Sequence, residues 1–234
     1  MGGYTLMRMP KPGNTGVLVA ASVFPTTWPA TENPVSQGSI WTQGLDVGLD
    51  WQNTQSTGGS PGIGWGTGSS PVSDNDNISI VKGLYSTTKH YAQITINKVG
   101  GYTPPSTHET EVLVGFDITA HSAKGYEMDF AWGANLQPVR WNGALNDFIT
   151  TVFTTVSGAP FLPNDGDVIK VIFDSTSGSP VITVFQNGAQ QVQYTDTTAG
   201  KITSGAPGMG FFAAPGAGLD LTKYCNKGFD AGNA

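Results

Sequence analysis

The chain has 234 residues, 38% of them hydrophobic, with 32 Gly, 15 Pro and a charged share of only 12%, about half the usual quarter. A net charge of −6, with 11 Lys and Arg that form no cluster, provides no basic patch for a phosphate backbone and argues against nucleic acid as a partner. Eleven Phe, seven Tyr and six Trp are spread along the chain, which excludes disorder, and a single cysteine, Cys225, excludes an internal disulfide.

Residues 1–20 read as an extended N-terminal arm and residues 21–234 as one domain. The apolar run "GVLVAASVF" (16–24) is too short to cross a bilayer, so no membrane insertion is expected. With Pro10 and Pro12 before it, the run is also a poor signal peptide. From Gly38 to Ser73 the chain is rich in Gly, Ser and Trp, and Trp41, Trp51 and Trp65 argue for loops and short strands packed on a core, not for a linker. Strand patterns then recur: "NISIVKG" (77–83), "YAQITINK" (91–98), "TEVLVGFDIT" (110–119), "GYEMDFAW" (125–132) and "FITTVFTTV" (148–156). "DVIKVIFDS" (167–175), "PVITVFQ" (180–186), "QQVQYT" (190–195) and "GMGFFAA" (208–214) continue the series. Asn187-Gly188 between two of these runs is a hairpin turn, since both positions need a positive φ that Asn and Gly tolerate. Helical periodicity is confined to a few residues near "GLDLTKYCNK". These observations imply an all-β, two-sheet antiparallel β-sandwich.

Gly58-Gly59-Ser60-Pro61-Gly62 spells a nucleophile elbow, but the mechanism needs a backbone N–H after the serine and Pro61 has none. "GIGWGTG" (62–68) and "AGKI" (199–202) precede no helix that could present its N-terminus to phosphate, and both read as turns. His90, His108 and His121 stand singly, without the spacing of a zinc site. No cofactor is required by these patterns. Calcium is the one the sequence leaves room for, at Asp74 and Asp76 in "SDNDN" and at Asp165 and Asp167 in "NDGDV". The simpler reading makes these four turn formers that bond nearby backbone.

Glu127 and Asp129 share one face of their strand with Ala131, while Tyr126, Met128, Phe130 and Trp132 share the other. At about 3.3 Å rise per residue the two acids lie about 6.5–7 Å apart at Cβ, near the separations used in glycoside hydrolysis. The apolar set must face the core, so the expectation is a pair of solvated carboxylates, with a cleft-lining pair as the alternative. "PVRWNGALNDF" (138–148), on an expected loop or strand end, is the one stretch that combines an indole with several polar groups. Core packing is the ordinary fate of a Trp, yet Arg140, Trp141 and Asn142 join Glu127 and Asp129 as the best ligand-binding candidates.

The order "TEVLVGFDI…GYEMDF", "DGDVIKVIF…VITVFQNGAQQVQYTD" and "SGAPGMGFF", opened by "TENPVSQGSIW" (31–41), resembles the concanavalin A-like lectin/glucanase superfamily in its LamG-like jelly-roll form. The resemblance covers about residues 31–214 and implies a jelly roll whose commonest use is carbohydrate binding. It also implies a comparison with laminarinase-like glycosidases, whose strand reads roughly E-x-D-x-x-E. Glu127 and Asp129 match the first two acids, but Trp132 stands where the third, the proton donor, belongs. The expected protein is therefore a non-catalytic glycan-binding module. The alternatives are a structural or decoration protein of a virion or cell-surface assembly, holding other subunits through the N-terminal arm, and a polysaccharide hydrolase or lyase. An extracellular, virion or cell-surface location accompanies all three.

Overall fold

The computed structural model describes residues 24–43, 54–67, 76–81, 83, 85–105, 108–119, 122–130, 135–144, 149–150, 156–157, 161–213 and 219–234. The N-terminal arm, Trp51, Asp74, His121 and Trp132 lie outside them.

Fifteen strands are described: β1 (Trp41–Gln43), β2 (Thr54–Thr57), β3 (Ile63–Gly66), β4 (Asn77–Val81), β5 (Lys89–Lys98), β6 (His108–Thr119), β7 (Ser122–Phe130), β8 (Asn135–Ala144), β9 (Ile149–Thr150), β10 (Val156–Ser157), β11 (Val168–Asp174), β12 (Val181–Gln186), β13 (Ala189–Thr195), β14 (Ala206–Ala213) and β15 (Tyr224–Asn233). They form two antiparallel sheets. The eight-stranded sheet runs β1-β4-β14-β6-β7-β8-β10, with β9 also paired to β8, and the seven-stranded sheet runs β13-β12-β11-β5-β15-β3-β2. This is the expected β-sandwich. Among the described residues, no helix is long and apolar enough to cross a membrane.

Period-two alternation decides which side chains meet between the sheets. Val112 and Val114 of β6, Tyr126, Met128 and Phe130 of β7, and Met209 and Phe211 of β14 pack against Ala92, Ile94 and Ile96 of β5, Val171 and Phe173 of β11, and Phe229 of β15. The other face of the eight-stranded sheet is also buried. Ile78, Ile80, Leu113, Phe116, Ile118, Ala123, Val139, Trp141 and Ala206 form a second apolar cluster there. A bulge between Val114 and Asp117, with Gly115 at φ 58°, shifts the alternation so that Phe116 joins this second cluster.

The Asn187-Gly188 hairpin forms with φ 51° and 80°, linking β12 to β13. Three readings need correction. The segment 138–148 is no loop at its start, because β8 runs Asn135–Ala144 beside β7. Of "FITTVFTTV" (148–156) only Ile149, Thr150 and Val156 are described, in β9 and β10, and the rest lies outside the described residues. The glycine-rich stretch after Gly62 is strand β3, where Gly64 lies flat against Trp28 and Gly66 against Asn77 with no room for a side chain. Near "GLDLTKYCNK" only Leu221–Lys223 is helical, as one 3-10 turn, and Tyr224–Asn233 continues as a strand between β5 and β3.

Candidate functional site

The antiparallel register of β6 and β7 sets Glu111 directly opposite Asp129, and Leu113 opposite Glu127. Glu109 and Glu111, two residues apart, therefore point to the same face as Glu127 and Asp129. That face is the one turned away from the sandwich interior. Four carboxyl groups thus meet on two neighbouring strands, and Asp76, just before β4, adds its charge to three of them.

None of the four is solvated. Glu109 is 5% exposed, Glu111 0%, Glu127 6% and Asp129 2%, which overturns the expectation of a wet acid pair. The alternation was read correctly, but the sheet face it points to is covered. Glu127 Oε2 accepts a hydrogen bond from the Trp141 indole N–H. Glu109 and Asp129 are bonded carboxyl to carboxyl. Glu109 Oε1, both oxygens of Glu111, and Asp129 Oδ1 are buried without a hydrogen-bond partner. One oxygen from each of Glu109, Glu111 and Glu127 lies within 4.8 Å of the others.

Space for this arrangement comes from β14. Gly210 pairs with Glu111, and a Cβ on that glycine would overlap Glu111 Oε2. Burial, followed by the neighbouring Asp129 charge, pushes the Glu127 carboxyl up to about 8. Burial and the surrounding carboxylates likewise hold Glu109 and Glu111 well above the usual range. Asp129 is raised chiefly by burial, against the lowering effect of its bond to Glu109. Two full charges no more than 4.8 Å apart repel by at least roughly 3–4 kcal/mol at an effective dielectric of about 20. The cluster therefore either retains protons or takes up a positive charge.

The five candidates from the sequence are divided between two faces. Glu127, Asp129 and Trp141 share the acid-bearing face, and Trp141, 1% exposed, packs in the second apolar cluster. Arg140 pairs with Tyr126 in register and points to the other face. Its Nη1 lies 2.9 Å from Asp196 Oδ2, and its Nε donates to Asn142 Oδ1 at 3.2 Å. Asp196 also accepts from the Tyr126 hydroxyl at 2.8 Å and from the Thr198 backbone N–H at 2.9 Å. Burial works to raise Asp196, but the hydrogen bonds from Thr198, Tyr126 and Arg140 hold it below its ordinary value. Arg140 and Asn142 thus belong to a clamp that ties the segment after β13 to β7 and β8.

Of the calcium candidates, Asp76 borders the acid cluster. Asp165 accepts from Lys227 Nζ at 2.9 Å and from the Lys98 N–H at 3.0 Å. Asp167 accepts from Asn164, Gln186 and Asn187 at 2.8–2.9 Å. Both hold their own turns together. Glu109 was missed as a site residue because the strand was read from Thr110, and Glu111, inside that strand, because the pairing that sets it opposite Asp129 is long-range. The signal was present in "HETEV", with acids spaced two apart as in "YEMDF".

Two antiparallel sheets stacked face to face make a β-sandwich of the jelly-roll kind. Among solved structures, an endo-1,3-beta-glucanase from Streptomyces sioyaensis aligns with TM-score 0.52 at 10% identity, covering 96% of this chain and 98% of that one. The carbohydrate recognition domain of Emp47p aligns with TM-score 0.51 at 12% identity, covering 92% of this chain and 97% of that one. The corresponding domain of Emp46p, in a potassium-bound form, aligns with TM-score 0.50 at 11% identity over 90% and 95%. At these identities the likeness establishes the fold alone. No protein-family model and no curated protein matches the sequence.

Proposed function

We propose that this protein is a non-hydrolytic glycan-binding jelly roll whose ligand approaches the acid-bearing face of the eight-stranded sheet. The reading is supported by the architecture, which solved carbohydrate recognition domains share. One observation carries it: the two-sheet architecture aligns over 92% of this chain with 97% of a carbohydrate recognition domain. Hydrolysis is disfavoured because a proton donor must come within about 2.6–3.2 Å of the scissile oxygen, and all four acids are at most 6% exposed. A polysaccharide ligand also accords with an extracellular or surface location.

A second reading, hydrolysis, is favoured by Glu127 alone, since a carboxyl held near pH 8 stays protonated as a general acid must. Native affinity electrophoresis on soluble polysaccharides, with reducing-end analysis of the same mixtures, separates the two. Retardation without new reducing ends supports binding, and no retardation on any polysaccharide would refute it. New reducing ends that vanish in Glu127→Gln would establish the hydrolase instead.

A further inference from the structure

The four orphan oxygens pose a problem that a sugar cannot solve by itself. They belong to Glu109, Glu111 and Asp129, in side chains at most 5% exposed, so a pyranose ring reaching all of them would have to displace the covering structure. Leaving a buried acceptor unsatisfied costs about 1–3 kcal/mol. What fits is small, positively charged and able to bind several oxygens at once.

We propose that Glu109, Glu111 and Glu127 hold one hard divalent cation of calcium's size between β6 and β7. The donor set is three carboxylates, with no sulfur or imidazole among them, which suits calcium, magnesium or manganese over zinc or copper. Coordination habit then favours calcium. Magnesium demands near-ideal octahedral geometry and keeps several waters, whereas calcium accepts an irregular set of protein oxygens. The three oxygens lie within 4.8 Å of one another, so one ion can bridge them after small side-chain shifts.

Independent features support the same place. Glu111 is fully buried with both oxygens unpartnered, and it reaches the cluster through space that exists only because Gly210 lacks a side chain. The indole of Trp141 donates to Glu127 Oε2 and so fixes that carboxylate, as an outer-shell donor orients a ligand. Asp129 accepts a hydrogen bond from Glu109 and so holds that side chain in place from the other side. Leu113, Val139 and Trp141 on this face are apolar, while Gln137, in register with Asp129, adds an amide beside the acids. The cation is distinct from the calcium expected at the Asp-rich turns, where Asp165 is already neutralised by Lys227.

The proposal does not depend on glycan binding, and its test uses no glycan. The full chain is stripped with chelator, dialysed against micromolar calcium or magnesium, and its retained metal is measured by mass spectrometry. One calcium per chain, preferred over magnesium and accompanied by a rise in Tm, is expected. Glu111→Gln is expected to weaken retention by roughly 100-fold, at least what an outer-shell loss costs, while Asp165→Asn leaves it unchanged. No retained calcium in the parent, or retention that survives Glu111→Gln and fails in Asp165→Asn, would overturn the proposal. Should Glu111→Gln not fold, terbium on the parent protein decides. Emission sensitised by tryptophan and displaced by calcium is expected, and bound terbium that Trp141→Phe leaves equally bright would count against the site.

Discussion

Arg140→Met tests whether the polar groups around β8 serve structure or ligand. The guanidinium lies 2.9 Å from Asp196, with Arg140 7% and Asp196 1% exposed, so both charges have lost nearly all their water. At that distance the attraction is roughly 5–6 kcal/mol at an effective dielectric of about 20, most of it offset by desolvation. Removing one partner is different, because Asp196 would remain buried as an unpaired carboxylate. The expected loss is about 3–5 kcal/mol, or a fall in Tm of roughly 6–20 °C at about 2–4 °C per kcal/mol for a chain of this size. Urea denaturation and calorimetry read it directly. In the double variant Arg140→Met/Asp196→Asn the losses should be less than additive, since each removes the same pair. A loss under about 1 kcal/mol would refute the clamp. So would a normally stable Arg140→Met that no longer binds polysaccharide, because Arg140 would then be a ligand group.

Three further outcomes are expected. The His90 ring accepts the Gly115 N–H at 3.1 Å and faces the Ser86 carbonyl at 2.9 Å, and burial lowers it from 6.5 to about 4. Its folded value lies below its unfolded one, so its contribution is complete above pH 6.5 and lost as pH falls towards 4, by roughly 3 kcal/mol. Urea midpoints of parent and His90→Gln between pH 7 and 4.5 should converge, and parallel curves would contradict the argument. Gly210→Ala should cost about 1–3 kcal/mol by overpacking and reduce calcium retention, because its Cβ displaces Glu111; retention at the parental level would show that Glu111 is not a ligand. Gly188→Val should cost about 1–2 kcal/mol at φ 80° while leaving metal and polysaccharide binding unchanged, and an unaltered denaturation midpoint would mean the turn relaxes.

The sequence by itself determined what is local. Alternation in "TEVLVGFDIT" and "GYEMDFAW" gave strands with the correct faces, because side-chain direction follows from the backbone period. Asn187-Gly188 gave its hairpin because only such residues take two consecutive positive φ angles cheaply. Strands that depend on neighbours were less legible. "YCNKGFDAGN" has Gly, Asn and Asp at half its positions and little intrinsic strand preference, yet it pairs with β5 and β3 in the middle of a sheet. Pro138 obscured β8 in the same way.

Only the tertiary structure decided the character of the acids. Period two says that Glu127 and Asp129 leave the sandwich core, but not whether water waits on the other side. The pairing of β6 with β7 brings Glu109 and Glu111 to them from more than a dozen residues away, and all four are buried. Register and burial are long-range properties, and together they turn two ordinary strand carboxylates into part of a buried four-carboxyl cluster.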